Sequence, residues 1–214
     1  VQKEPKGLAQ AFIIAENFIK DSHVALILGD NLFHGHNLSS ILQNKANDFS
    51  CHATIFAHLV SDPNRYGIVE FNSSLKVISI EEKPIMPKSK YAVTGLYFYD
   101  NTVCERVKTL LPSKRGELEI TDLNNLYLEE KKLKVELLGR GMVWLDTGTC
   151  DSLNQASSYI NTIENRQGLK VGCPEEVAYR MGWIDANQLI KLAEQSIYSE
   201  YGKYLLNLFE EKKI

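Results

Sequence analysis

Val24-Ala25-Leu26-Ile27-Leu28, followed by Gly29-Asp30-Asn31, constrains the fold more than any other stretch of the chain. Five apolar residues without polar alternation predict a strand buried on both faces, as in a parallel sheet flanked by helices. A central strand is therefore expected here. Open α/β sheets hold their ligands outside the carboxyl ends of the strands, which is where the Gly-Asp-Asn turn falls. Asp30 is then a carboxylate at the rim of a crevice, suited to a hard cation such as Mg²⁺ and the phosphate oxygens that accompany it. An Asp in such a place also caps helices or opens turns, so the residue alone leaves both readings open.

With 214 residues, 44% of them hydrophobic and 24% charged, the chain is long enough for one large α/β domain with a small appendage. No apolar run approaches the length of a membrane span, so no membrane partner is expected. A formal net charge of −3 argues against a general nucleic-acid binder. Any phosphate must be met by local groups. Cys51, Cys104, Cys150 and Cys173 are far apart and form no C-x-x-C pair. That usage fits reduced thiols in a cytoplasmic protein better than a disulfide frame or a zinc site. The sequence begins at Val1-Gln2 without Met and enters a helix within a few residues, which reads as the later part of a longer protein.

Leu8, Phe12, Ala15 and Ile19 follow helical spacing after Gly7, a loop glycine that permits close approach of a ligand. A further helix is expected over residues 38–45. His34 and His36 are two apart but have no third ligand in view, so they are not read as a metal pair. Residues 51–60 alternate as a strand, and residues 68–71 and 75–80 read as a hairpin around Asn72-Ser73-Ser74. The hairpin runs into Glu81-Glu82-Lys83-Pro84. A surface ion pair contributes only about 0–1 kcal/mol, so this cluster serves stability poorly. It is better suited to holding a sugar hydroxyl on Glu82 beside a phosphate on Lys83, although a solvated charge cluster has the same spacing.

Residues 91–99 read as a buried aromatic-rich strand, and residues 103–111 as a helix stopped by Pro112. Arg115 beside Gly116 is a candidate phosphate contact, and Thr121 a candidate N-cap. Residues 133–138 form a strand, and 142–148 a second one ending in Asp146. Asp30 and Asp146, each ending an apolar strand, are expected to converge at the mouth of one sheet and share a metal ion. Leu153, Ala156 and Tyr159 are spaced to pack a following helix. From residue 164 onward the chain turns helical, with a helix starting at Pro174, another capped by Asp185, and a last one over residues 201–214. The expected division is an α/β domain over 1–163 and a helical segment over 164–214.

Taken together and in order, several strings resemble one family. They are Gly7-Leu8-Ala9-Gln10-Ala11, Leu28-Gly29-Asp30-Asn31, Arg65-Tyr66-Gly67, Glu81-Glu82-Lys83-Pro84 and Val93-Thr94-Gly95-Leu96-Tyr97. Arg115-Gly116-Glu117-Leu118-Glu119-Ile120-Thr121-Asp122, Trp144-Leu145-Asp146-Thr147-Gly148 and Glu164-Asn165-Arg166-Gln167-Gly168 continue the series. The family is that of the glucose-1-phosphate thymidylyltransferases, bacterial sugar nucleotidyltransferases of dTDP-rhamnose biosynthesis. The resemblance implies a Rossmann-like α/β fold with a mostly parallel central sheet and a small C-terminal helical appendage. It also implies a cytoplasmic homotetramer that makes dTDP-glucose and pyrophosphate from dTTP and α-D-glucose 1-phosphate with Mg²⁺.

By the family pattern, Gln2 and Gly7 read the thymine, and Asp30 and Asp146 hold the metal. Tyr66, Gly67, Glu82, Lys83 and Val93 line the sugar-phosphate pocket, and Arg115 contacts the phosphate. Asp30, Lys83, Arg115 and Asp146 form the catalytic set. A second site, where dTDP-rhamnose acts as feedback inhibitor, maps onto Gly35, Arg140, Glu176, Val177 and Arg180, with Ser39 in place of an expected histidine. The family's glycine-rich triphosphate loop precedes the point where this sequence begins. The 24–28 strand is accordingly expected to lack a neighbour, and a polypeptide starting at Val1 to be inactive and prone to aggregate unless that segment is supplied separately or is simply absent from the sequence as given. A non-catalytic nucleotide-sugar-binding module stays open as an alternative. A metal-dependent glycosyltransferase is disfavoured, because Glu82-Lys83-Pro84 and Trp144-Leu145-Asp146 have no role in that scheme.

Overall fold

The computed structural model describes every residue except Phe49, Cys51 and residues 212–214, and the backbone alone at 210 and 211. The chain divides into two compact units, Val1–Ser152 and Leu153–Ile214.

Unit 1 is built around β6 (Tyr91–Tyr99), whose β-branched and aromatic side chains suit a pleated, covered surface. One edge of β6 pairs antiparallel with β3 (Ala53–Leu59). Its other edge is shared end to end: β1 (Val24–Ile27) pairs antiparallel from Val24↔Tyr99 to Ile27↔Leu96, and β4 (Gly67–Phe71) at Ile68↔Ala92. Outward from these, β5 (Val77–Glu82) completes the expected hairpin with β4, and β7 (Leu133–Leu138) runs parallel to β3. Asn72 holds the hairpin turn, its Oδ1 accepting from the Ser74 and Lys76 N–H groups at 3.0 Å. The expected α/β architecture is present, and β1, β3, β4 and β7 all point the same way. Adjacent pairing is another matter: among the described residues β3–β7 is the one parallel ladder, because β6 runs against its neighbours on both edges.

The two faces of the sheet carry separate apolar layers. Ile55, Tyr97 and Tyr99 pack with Phe12, Val103, Leu123 and Tyr127 from α1 (Gln10–Ile14), α4 (Val103–Lys108) and α5 (Ile120–Glu129). Phe56, Ile68, Ala92 and Leu96 pack instead with Met142 and Trp144. The two-residue period of a strand sends neighbours such as Ile55 and Phe56 to opposite layers. A register shift in β3 between Ile55 and Ala57 leaves the Phe56 carbonyl to accept the Thr94 hydroxyl at 3.1 Å. The helix expected after Gly7 is interrupted at Ala15, giving α1 and α2 (Glu16–Ile19). The helix expected near 38–45 is α3 (Leu38–Ala46).

The strand expected to be central and buried on both faces is neither. β1 pairs with β6 alone among the described residues, and its residues alternate between half-buried and exposed, with Ile27 57% exposed. Val24 and Leu26 reach the core, while Ala25 and Ile27 point away from it. An apolar run constrains which residues are able to be buried and cannot specify whether a second layer covers them.

In unit 2, α7 (Pro174–Arg180), α8 (Ala186–Glu194) and α9 (Glu200–Glu211) enclose a core of Cys173, Leu189, Ala193, Tyr204, Leu205 and Leu208. Asp185 caps α8 as expected, in a full capping box with Gln188. The Tyr201 hydroxyl donates to Glu175, and the Tyr204 hydroxyl to Glu176 at 2.5 Å. The connecting helix α6 (Cys150–Gln167) buries Ala156, but Leu153, expected to pack, is 53% exposed. Among the described residues, no helix is long and apolar enough to cross a membrane. Cys104, Cys150 and Cys173 are free, and Cys51 lies outside the described residues.

Candidate active site

The two aspartates meet through a separate two-stranded ribbon and not across the mouth of the main sheet, as the sequence led one to expect. β2 (Asn31–His34) pairs antiparallel with β8 (Val143–Asp146), with Asn31 opposite Asp146. The ribbon continues one residue further, where the Thr147 N–H and hydroxyl both donate to the Asp30 carbonyl, at 2.8 and 3.0 Å. Asp30 sits in the turn between β1 and β2, and Asp146 ends β8, so two positions far apart in sequence lie side by side. Trp144 anchors the ribbon to the core, its ring centroid 5.1 Å from that of Tyr66.

The β4–β5 hairpin supplies the facing groups. Gly67 stands opposite Glu82 in the ladder, and a Cβ on Gly67 would come within 3.2 Å of the Glu82 carboxylate and 3.4 Å of the Thr121 hydroxyl. Thr121 does not cap a helix, as its sequence context led one to expect; it lies inside α5 and donates its hydroxyl to Glu82 at 2.7 Å. Lys83 follows with φ 43°, a left-handed value rare for a side chain of this kind, and its N–H donates to the Tyr66 carbonyl at 3.0 Å. Backbone strain of this sort persists only where surrounding contacts over-determine it. The Tyr66 hydroxyl donates to Asp146 at 3.3 Å, and Arg65 approaches the same carboxylate at 3.7 Å.

A third wall comes from residues 115–121. The Arg115 guanidinium grips Glu119 with bonds of 2.8 to 3.1 Å. One residue before Glu119, Leu118 exchanges backbone bonds with the N-terminal loop through Lys6 and Ala9. Gly7 lies so close that a Cβ there would sit 2.5 Å from Leu118 backbone atoms, and its φ of 95° also requires glycine. Gln2 is drawn into this junction, donating to the Gly7 carbonyl at 3.1 Å and to Gln10 at 2.7 Å.

Asp30, Tyr66, Gly67, Glu82, Lys83, Val93, Arg115 and Asp146 together line one open cavity of about 340 Å³. Gln2 and Gly7 stand beside it rather than on its lining. A larger groove of about 550 Å³, between residues 76–80 and α5, contains none of the residues singled out from the sequence. Burial alone pushes the Glu119 carboxyl up, but bonds from Arg115 and Ser113 and the Arg115 charge outweigh it, and the group is held below its ordinary value. Burial, then the Glu119 and Glu82 charges, raises Asp122. Tyr97 is pushed up by burial and by Glu82, and Tyr66 by burial and by Asp146, so both phenols stay protonated donors at neutral pH.

A divalent metal has two protein carboxylates to bind, Asp30 and Asp146. Among the described residues no cluster of three or more His, Cys, Asp or Glu side chains is able to hold an ion. A full protein cage, as structural zinc needs, is thus not offered. The pair does fit a hard cation that keeps several waters and takes further oxygens from a bound phosphate.

Sequence reasoning had left Arg65, Glu119 and the Thr121 hydroxyl without a role at the cavity; for Arg65 and Thr121 the partners, Asp146 and Glu82, are distant in the chain, whereas Glu119 pairs with Arg115 only four residues away. The residues assigned to a second site fall in two places. Gly35 packs on the turn beside Arg140, since a Cβ at Gly35 would sit 2.5 Å from the Met142 sulfur and 2.9 Å from the Gly141 carbonyl. In unit 2, Arg180 donates to Glu176 at 2.7 Å, and Val177 is 52% exposed.

Residues 1–163 match the model of the nucleotidyl transferase family. The chain is 51% identical to a glucose-1-phosphate thymidylyltransferase of Neisseria meningitidis over 211 residues, 99% of this chain and 73% of that protein. It is 53% identical to one of Mycobacterium tuberculosis over 209 residues, 98% of this chain and 72% of that protein. Among solved structures, one described as a glucose-1-phosphate thymidylyltransferase from Bacillus anthracis, in complex with a sucrose, aligns with a TM-score of 0.65 at 40% identity. That alignment covers 74% of this chain and spans 63% of the other. A UDP-glucose pyrophosphorylase complexed with UDP-glucose aligns with a TM-score of 0.67 at 24% identity, covering 75% of this chain and 64% of that one, a likeness of fold alone.

Proposed function

The chain belongs to the nucleotidyl transferase family, and from that premise we propose that it joins dTTP and α-D-glucose 1-phosphate into dTDP-glucose, releasing pyrophosphate. The observation that carries this reading is the convergence of Asp30, Asp146, Glu82, Lys83 and Arg115 on one cavity. An oxygen of the sugar phosphate attacks the α-phosphorus of dTTP, the new P–O bond forms, and the bond to the β-phosphate breaks with its electrons leaving on pyrophosphate. No protein nucleophile is required. The protein has to position two anions and offset their charge.

Glu82 accepts from sugar hydroxyls, held in place by the Thr121 hydroxyl. Lys83 presents its ammonium to the sugar phosphate from a backbone that the Tyr66 carbonyl pins. Arg115, whose side chain is half exposed, leaves Glu119 for a phosphate, while Glu119 keeps the bond from the Ser113 hydroxyl at 2.7 Å. Mg²⁺ on Asp30 and Asp146 supplies charge neutralisation at the phosphate oxygens. Gln2 and Gly7 read the thymine edge beside the cavity. A cytoplasmic homotetramer feeding dTDP-rhamnose synthesis, with dTDP-rhamnose as inhibitor, goes with this reading and is supported by the motif resemblance alone.

The test is pyrophosphate release from dTTP and glucose 1-phosphate, with UTP and glucose 6-phosphate as controls. Asp30→Asn and Asp146→Asn are expected to lower kcat by about 100- to 1000-fold, the scale of removing a charge-stabilising group. Turnover within a few-fold of the unsubstituted chain in either variant would remove that carboxylate from the metal role. Saturable binding of dTDP-glucose with no pyrophosphate release would favour a non-catalytic nucleotide-sugar-binding module.

A further inference from the structure

The Asn31 side chain is bonded on every side. Its Oδ1 accepts from the Gly95 backbone N–H at 3.0 Å and from the Trp144 indole N–H at 2.6 Å. Its Nδ2 donates to the Asp30 carboxylate at 2.8 Å. Which end of an amide is oxygen usually has to be inferred, but here the bonding leaves no choice. A backbone N–H and an indole N–H are donors only, so the atom between them must be Oδ1, and the atom facing Asp30 must be the amino group. Gly95 makes the arrangement possible. A Cβ at Gly95 would lie 2.5 Å from Asn31 Oδ1 and 2.6 Å from its Cγ, so the amide occupies the space that any other residue would fill.

We propose that Asn31 is a positioning residue for Asp30, fixing the rotamer in which that carboxylate meets a divalent cation. This rests on the metal role given to Asp30 above. Asn31 joins three elements: the middle of β6 through Gly95, β8 through Trp144, and the β1–β2 turn through Asp30. The bond from Nδ2 occupies one side of Asp30 Oδ1 and leaves the other carboxylate oxygen to the cavity. Asp146, on the facing strand, is held separately by Tyr66. Partners of this kind, which orient a metal ligand without touching the ion, typically change metal affinity about 10- to 100-fold when removed.

The experiment is Mn²⁺ titration of the chain, free ion read by electron paramagnetic resonance, with circular dichroism and thermal unfolding on the same samples. Asn31→Ala is expected to weaken Mn²⁺ binding about tenfold or more. Gly95→Ala, which touches neither carboxylate, is expected to weaken it to within about threefold of the Asn31→Ala value by displacing the amide. Trp144→Phe removes one of two anchors while leaving the bond to Asp30, and is expected to weaken binding only about two- to threefold. A purely structural role predicts instead that affinity follows the loss of thermal stability, with Trp144→Phe as damaging as the others. Should Asn31→Ala fail to fold, the order of Gly95→Ala and Trp144→Phe decides the matter. Folded Asn31→Ala or Gly95→Ala with Mn²⁺ affinity within twofold of the unsubstituted chain would overturn the inference while leaving the metal site intact. No Mn²⁺ binding by the unsubstituted chain would overturn the metal reading and the inference together.

Discussion

Around the cavity of unit 1, several bonds that orient functional side chains link distant parts of the chain: Thr121 to Glu82 across 39 positions, Tyr66 to Asp146 across 80, and Trp144 to Asn31 across 113, beside local ones such as Asn31 to Asp30 and Arg115 to Glu119. In unit 2 many comparable bonds are local. Asp185 and Gln188 cap each other three positions apart, and Arg180 pairs with Glu176 four apart. The longer ties, Tyr201 to Glu175 and Tyr204 to Glu176, span 26 and 28 positions and dock one helix on another. Unit 1 thus pays the conformational entropy of ordering long loops for the placement of a few charged groups, whereas unit 2 spends little on precision. The difference separates what builds a site from what builds a scaffold.

The sharpest way to break this contrast is to alter one cavity group and look for a substrate-specific effect. Lys83→Ala is expected to raise KM for glucose 1-phosphate about 10- to 100-fold, the scale of one bond to a charged group, and to leave KM for dTTP nearly unchanged. Steady-state kinetics with each substrate varied in turn measures it, and equal increases for both would deny Lys83 a role specific to the sugar phosphate. A smaller effect belongs to the local device of unit 2. Asp185→Ala is expected to cost about 1 kcal/mol of stability, typical of a lost N-cap, with Mn²⁺ affinity at the cavity unchanged. Urea unfolding followed at α8, together with the Mn²⁺ titration, checks both halves, and a loss of metal affinity would mean that the two regions are not independent.

The smallest effect concerns a surface pair of unit 1 outside the cavity. Arg106 grips Glu130 with bonds of 2.5 and 2.9 Å, and Lys132 adds a second partner at 2.8 Å. The Arg106 bonds first, then Lys132, hold the Glu130 carboxyl at about 2, below the ordinary 4.5. A depressed carboxyl stabilises the fold above its unfolded value and loses that contribution as pH falls through the folded one. Glu130→Gln should therefore lower stability slightly near neutrality, where the contribution is fully present, and flatten the dependence of stability on pH between about 4.5 and 2, so that the two proteins converge at the acid end. Thermal unfolding across that range tests it, and an unchanged acid limb would show that the pair contributes nothing measurable.

What the sequence made legible follows the same division by range. The Asp185 cap, the Asn72 hairpin turn and the α3 helix are set within a few residues, and each was read correctly from composition and spacing. The motifs at Glu82-Lys83 and Asp146 were visible as strings, and the family resemblance placed them on one reaction. The role of Asn31 was not legible, because side-chain partners such as Gly95 and Trp144, 64 and 113 positions away, leave no local trace. Thr121 shows the limit well: its local context is that of a cap, yet its hydroxyl turns to a carboxylate on another element.

By itself the sequence determined the alternation of strands and helices, the apolar residues available to a core, and several of the charged groups that line the cavity. Only the tertiary structure decided that β1 pairs with β6, that β6 runs against its neighbours, and that Asp30 and Asp146 meet through a ribbon of their own. Burial potential and turn chemistry are properties of neighbouring residues, so they can be read along the chain. Pairing partners, strand direction and the meeting of distant carboxylates depend on which of many compatible contacts forms, and that choice is made by the packing of the whole unit.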